Sequence, residues 1–163
     1  MEDRFYNFAL RFLSYRPRSE KEVRDRLKLK IQNSKVKITT QNSKVIDGVI
    51  QKLKEKKFIN DEEFAKGWIE SRLRFKLRSL RLIKMELKQK GIDTETINNL
   101  INDEGLMIND LENAKKLIEK RIERLKGLNR QKIYEKLGRY LASKGFNWDI
   151  VKKSIDEVLG KGV

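Results

Sequence analysis

The sequence predicts an all-α fold: three tandem three-helix repeat units in an elongated, curved arrangement. Three observations predict it. Residues that favour helices (Leu, Lys, Glu, Arg, Ile) dominate the 163-residue chain, which holds one proline, Pro17. Apolar residues recur at helical spacing in nine stretches. Those stretches fall into three groups that can be laid on one another.

The first helix carries Phe5, Phe8, Ala9, Phe12 and Leu13 on one face. It stops at "SYRPRS", because Pro17 disfavours helical geometry at Arg16. Ser19 opens the second helix, and Glu22 three residues on completes a capping box; Val23 and Leu27 are its apolar face. Residues 31–44, "IQNSKVKITTQNSK", lose the helical period and contain "QNSKV" at 32–36 and again as 41–45, so this polar insertion reads as a loop or short hairpin. Ile46, Val49, Ile50 and Leu53 then define a third helix.

Asn60 with Glu63 caps a fourth helix running to about Phe75. The fifth carries Ile83 and Leu87 and ends at Gly91, a residue suited to the left-handed position after a helix. Ile97, Leu100 and Ile101 mark a sixth, closed by "DEGL". Asn109 and Glu112 repeat the capping signal before a long helix to about Lys126; Asn129 starts the eighth, which ends at Gly145, and Asn147 caps the ninth with Val151, Ile155 and Val158.

The repeat follows from aligning Ala9, Ala65 and Ala114. Phe12, Trp68 and Leu117 then coincide, as do Leu13, Ile69 and Ile118, and Arg16, Arg72 and Arg121. The middle helices match through Val23/Leu27, Ile83/Leu87 and Leu137/Leu141, and "KGI" at 90–92 answers "KGF" at 144–146. The units are residues 1–60 (with the polar insertion 31–44), 61–108 and 109–163. Units of about 50 residues bury only about 60% of their unfolded surface, so they are expected to share one continuous core. Phe5, Phe12, Phe64 and Trp68 are assigned to helix faces in that core, and Trp148 is expected to pack on the helix before it.

The formal charge is +15, from 39 basic and 24 acidic side chains. A surplus of this size attracts polyanions, nucleic acid above all. It is unevenly placed: residues 1–60 hold 16 basic and 7 acidic side chains, 61–110 hold 9 and 10, and 111–163 hold 14 and 7. Inside the balanced middle, Asp61, Glu62 and Glu63 stand at a helix start, where carboxylates oppose the helix dipole. The cations of Arg72, Arg74, Lys76, Arg78 and Arg81 follow, with no carboxylate between Glu70 and Glu86. The plain alternative is a solvated, charge-rich surface.

Enzyme chemistry finds little support. There is no histidine and no cysteine, which removes the commonest general base, the thiolate nucleophile and the usual metal ligands. Asp61, Glu62 and Glu63 fan over roughly 200° of a helix and cannot converge as a pair. No glycine-rich phosphate loop occurs. No catalytic residue, metal or cofactor is expected. The acidic, amphipathic N-terminus is unlike a signal peptide, and no apolar run approaches a membrane span, so the expectation is a soluble, cytoplasmic monomer with no membrane partner.

"YRPRSEKEVRDRL" at 15–27, "LKEKKFINDEEFAKGWIESR" at 53–72 and "IKMELKQKGID" at 83–93 resemble the motifs of the RecX family of regulatory proteins, in the family's order and spacing. Lys57-Phe58 stands where the family usually has Gly-Tyr, "RFKLRS" replaces a glycine-rich turn, and 31–44 is an atypical insertion. The resemblance implies a protein that lies in the groove of the RecA–DNA filament and modulates, mostly inhibits, ATP hydrolysis and strand exchange in recombination and SOS repair. It also implies binding to single- and double-stranded DNA. The residues expected to meet nucleic acid or RecA are Arg16, Arg18, Arg24, Arg72, Arg74, Lys76, Arg78, Arg81, Arg121, Arg124, Lys126, Arg130 and Lys132. Tyr15, Phe75 and Tyr140 sit beside arginines, where bases could stack. The competing function is a stand-alone basic helical DNA- or RNA-binding protein without a dedicated protein partner.

Overall fold

The computed structural model describes residues 2–34, 40–102 and 109–160. Every long regular element among them is a helix: α1 (Glu2–Ser14), α2 (Glu20–Asn33), α3 (Thr40–Glu55), α4 (Asp61–Arg74), α5 (Leu80–Gln89), α6 (Thr94–Ile101), α7 (Asp110–Ile122), α8 (Arg130–Ser143) and α9 (Trp148–Leu159).

Local chemistry sets most of the starts. Ser19 accepts from the Glu22 amide while the Glu22 carboxylate accepts from the Ser19 amide, so the capping box opens α2 as expected. Asn60 Oδ1 takes the amides of Glu62 and Glu63 at 3.0 and 3.1 Å. Asn109, Asn129 and Asn147 cap α7, α8 and α9, each accepting from the amide three residues on. Gly91 and Gly145, with φ of 83° and 89°, end the two middle helices that carry them. Residues Ile92 and Phe146 each donate back to the leucine five positions earlier, closing the helix end.

Two expectations are corrected. Within the 31–44 segment, 31–33 and 40–44 are helical rather than loop or hairpin: α2 runs on to Asn33 and α3 begins at Thr40, with the second "QNSKV" inside α3. The "DEGL" assigned to the close of α6 lies outside the described residues. The helix expected to reach Lys126 is α-helical only to Ile122, after which Glu123–Leu125 tightens into a 3-10 turn.

The chain packs as two compact units, Met1–Gly67 with Leu87–Ile97, and Trp68–Glu86 with Asn98–Val163, so the division runs through α4, α5 and α6. In the first unit Ala9, Val23, Leu27, Ile46, Val49, Ile50 and Leu53 form the core, with Phe5, Phe8 and Phe12 half-buried against it. In the second, Ala114, Leu117, Ile118, Leu137, Leu141, Val151 and Ile155 form the core. The repeat register holds at side-chain level. Ala9, Ala65 and Ala114 are all buried, and Val23, Leu27, Ile83, Leu87, Leu137 and Leu141 are fully so.

One arrangement occurs once in each unit. In the first, Ser19 Oγ donates to the Lys90 carbonyl (2.6 Å) and the Glu20 amide donates to Asp61 Oδ1 (2.7 Å). In the second, the Ser79 amide donates to the Lys144 carbonyl (3.0 Å) and the Leu80 amide donates to Asp110 Oδ1 (2.8 Å). A middle helix therefore has its first turn satisfied by an aspartate at the start of the following repeat. Its cap residue rests on the Lys-Gly that ends the following repeat's middle helix. Close approach needs the glycines: a Cβ on Gly91 would lie 2.6 Å from Lys21 Cβ, and one on Gly145 would lie 2.6 Å from Ser79 Oγ. Burial raises the carboxyl pKa of both Asp61 and Asp110 against the lowering effect of the amide each accepts, a matched electrostatic signature of one junction used twice.

Candidate nucleic-acid interface

The expected binding residues separate into those occupied within the fold and those left open. In the first unit, Arg16 Nη2 reaches Glu22 Oε1 at 2.7 Å and Lys90 Nζ reaches the same oxygen at 2.8 Å. Burial alone would raise the Glu22 pKa, but Arg16, Lys90 and the Ser19 amide outweigh it and hold it at about 2. Arg18 lies 4.0 Å from the centroid of the Phe12 ring, a cation–π contact that covers one face of its guanidinium. Burial and then Arg16 lower the Arg18 pKa, and its Nε is shielded from solvent without a hydrogen-bond acceptor. Arg24 is held by Glu20 (2.6 Å) and Asp47 (2.5 Å).

In the second unit Arg72 is a correction. The strip from Arg72 to Arg81 was expected to have almost no acidic partner within reach, yet Arg72 Nε donates to Glu86 Oε2 at 2.6 Å. Its guanidinium also lies 4.2 Å from the Trp68 ring centroid, and Trp68 Nε1 donates to the same Glu86 oxygen at 2.8 Å. With only 14% of its side chain exposed, Arg72 is built into the helix pair and presents little charge outward. Arg74, Lys76 and Arg81 are exposed and make no ion pair among the described residues. Arg78 is half-buried, equally unpaired, and its Nε has no acceptor.

The third repeat treats the matched arginine differently. Arg121 lies 4.2 Å from the ring centroid of Tyr140, and its Nε likewise has no acceptor. Tyr140 precedes Leu141 as Glu86 precedes Leu87, so a neutral ring stands where the second repeat has a carboxylate. Around it, Phe75, Lys76, Arg78, Lys120, Tyr140 and Lys144 line a groove of about 390 Å³. Burial, then the positive charges of Arg78 and Arg121, lower the Lys144 pKa. Phe75 at its rim is 80% exposed.

Other expected residues lie outside this groove. Arg124 and Lys132 are exposed, Lys126 pairs with Glu123, and Arg130 donates to the carbonyls of Leu159 and Gly160 at the end of α9. Lys120 and Lys144 were missed by the sequence reading. Lys144 was visible there only as part of "KGF", a repeat marker, and its convergence on Arg78 is a tertiary fact. Tyr15 is 83% exposed and Trp148 62%, while Tyr140 packs partly on the core. Among the described residues no group of carboxylates could hold a metal ion, and no helix is long and apolar enough to cross a membrane.

Comparison with known proteins agrees with this architecture. Models of the first, second and third three-helix domains of RecX match residues 6–31, 60–100 and 109–155. The regulatory protein RecX of Clostridioides difficile is 30% identical, over 98% of this chain and 72% of that protein. That of Bacillus subtilis is 32% identical over 94% of this chain, which spans about half (54%) of its length. The crystal structure of RecX from Lactobacillus salivarius superposes with a TM-score of 0.71 at 27% identity, covering 96% of both chains. The nine helices of the described residues in a threefold register, the capped middle helices and these matches together place the chain in the RecX family of regulatory proteins.

Proposed function

We propose that the chain is a non-enzymatic regulator that binds the RecA–DNA filament and inhibits RecA's ATPase and strand-exchange activities, through contacts with both nucleic acid and protein. The observation that carries the reading is the open cation cluster of the second unit. Arg78, Lys120 and Lys144 face one groove, backed by Arg121, and none has a carboxylate partner among the described residues. Carboxylates within the fold hold Arg16, Arg24 and Arg72, whereas these cations converge on one groove. A family of regulators, with relatives named as such rather than as enzymes, fits a polyanionic target better than a substrate pocket.

The test is retention of RecA on the immobilised chain, together with RecA's DNA-dependent ATPase measured at substoichiometric amounts of the chain. Inhibition well below one chain per RecA supports filament docking. Inhibition that appears only when the chain is sufficient to coat the DNA, with no retention of RecA, instead supports the stand-alone nucleic-acid-binding reading.

A further inference from the structure

We propose that the groove between Phe75, Arg78, Tyr140 and Lys144 is a built site for one backbone phosphate of single-stranded nucleic acid, with Phe75 stacking the adjacent base. The proposal rests on the nucleic-acid half of the reading above and is independent of RecA.

Three features make the groove a site rather than a charged surface. Its cations are crowded: burial makes the Lys144 charge costly, and the fields of Arg78 and Arg121 add to that cost. An anion placed among them relieves that repulsion, whereas a solvated lysine would gain little. The donors are also held in place. Arg121 stacks on Tyr140, and Lys144 Nζ lies 5.3 Å from the same ring centroid. A guanidinium stacked on a ring keeps its N–H edge free for in-plane hydrogen bonds to an oxyanion. Finally, the backbone beneath is braced, since the residue after Arg78 donates its amide to the Lys144 carbonyl at 3.0 Å.

Phe75 decides between a nucleic acid and an acidic protein segment. It stands 80% exposed at the rim, between Arg74 and Lys76, with its ring open to a planar partner. A base covers it face to face without needing a particular sequence. An oligoglutamate would use the cations and leave the ring bare. Single strands are favoured because their unpaired bases can turn toward a ring, which stacked bases in a duplex cannot.

The experiment measures binding of a fluorescent oligothymidylate of about 12 nucleotides to the full chain, across a salt series. Lys144→Gln and Arg78→Gln should each weaken binding by about tenfold and flatten the slope of log K against log salt by about 0.7. Lys152→Gln/Lys153→Gln removes the same kind of charge from exposed positions of α9 and should do less. Phe75→Ala should weaken the oligothymidylate about five- to hundredfold, yet leave binding of an abasic oligonucleotide of equal length unchanged. Lys144→Arg should restore affinity, which separates lost charge from lost folding. Equal losses in the α9 variant, or a Phe75→Ala effect on the abasic strand, overturn the proposal. So does an oligoglutamate peptide that binds as tightly as the oligothymidylate. If the groove variants bind DNA normally while RecA inhibition persists, the groove proposal falls and the filament reading stands.

Discussion

Arg72 Nε donates to Glu86 Oε2 at 2.6 Å, across 14 residues of sequence, with both side chains less than one-fifth exposed. The pair shares its acceptor with Trp68 Nε1, which makes Glu86 the centre of a three-residue polar network between α4 and α5. Truncating Glu86 strands two donors at once. Glu86→Ala should cost about 2–3 kcal/mol of unfolding free energy, and Glu86→Gln less, because its amide oxygen still accepts from Trp68. Urea unfolding of both variants checks the order.

The repeated junction makes Gly145 a sharper constraint than a helix-ending glycine usually is. Its φ of 89° already disfavours a side chain, and a Cβ there would also lie 2.7 Å from Leu82 Cβ. Gly145→Ala should destabilise by well over the ~1 kcal/mol that the left-handed backbone alone costs. Gly127, also left-handed at φ 89° but with nothing within 4 Å of a Cβ, is the control and should show only the backbone cost. Equal losses at the two sites would remove the steric argument.

Lys57 stands in the left-handed region at φ 57°, at the end of α3, where the resembled family usually has glycine. Lys57→Gly should therefore stabilise the protein by about 0.5–1 kcal/mol, by relieving the strained backbone. A rise in the thermal midpoint is the expected readout, against the usual direction of a glycine substitution.

Glu22 couples the first unit to pH. Its carboxyl falls from an ordinary 4.5 to about 2 in the folded chain, so the unfolded state binds its proton first as pH drops. The stability it contributes is complete above about pH 4.5 and is lost as pH falls from there through about 2. Glu22→Gln should flatten the acid side of the stability–pH curve in that window and leave the slope above pH 5 unchanged. Urea midpoints between about pH 2 and 7 measure it.

Local chemistry was the legible part of this chain. Ser19 with Glu22, and the asparagines at 60, 109, 129 and 147, can be read as caps because a cap needs only residues three apart. The register of buried positions in the three repeats was legible for the same reason, being a matter of helical period. The start of α3 was hidden by Asn42, a polar residue that is only 7% exposed, at a helix position four before Ile46. An apolar-period search passes over it. The fate of the arginines was not legible at all. Nothing near Arg72 in sequence announces Glu86, and Arg121 differs from it only because Tyr140 replaces a carboxylate on the neighbouring helix. Lys144 joins Arg78 through tertiary packing alone.

Arg72 and Arg121 hold equivalent positions and are assigned opposite roles. The direct measurement is a paired one: Arg72→Ala and Arg121→Ala, each assayed by urea unfolding and by oligothymidylate affinity at one salt concentration. Arg72→Ala should lose about 1.5–3 kcal/mol of stability and keep its affinity. Arg121→Ala should lose at most about 1 kcal/mol of stability with its ring contact, and weaken binding by about tenfold. Matching losses of affinity in the two variants, or a loss confined to Arg72→Ala, would contradict it.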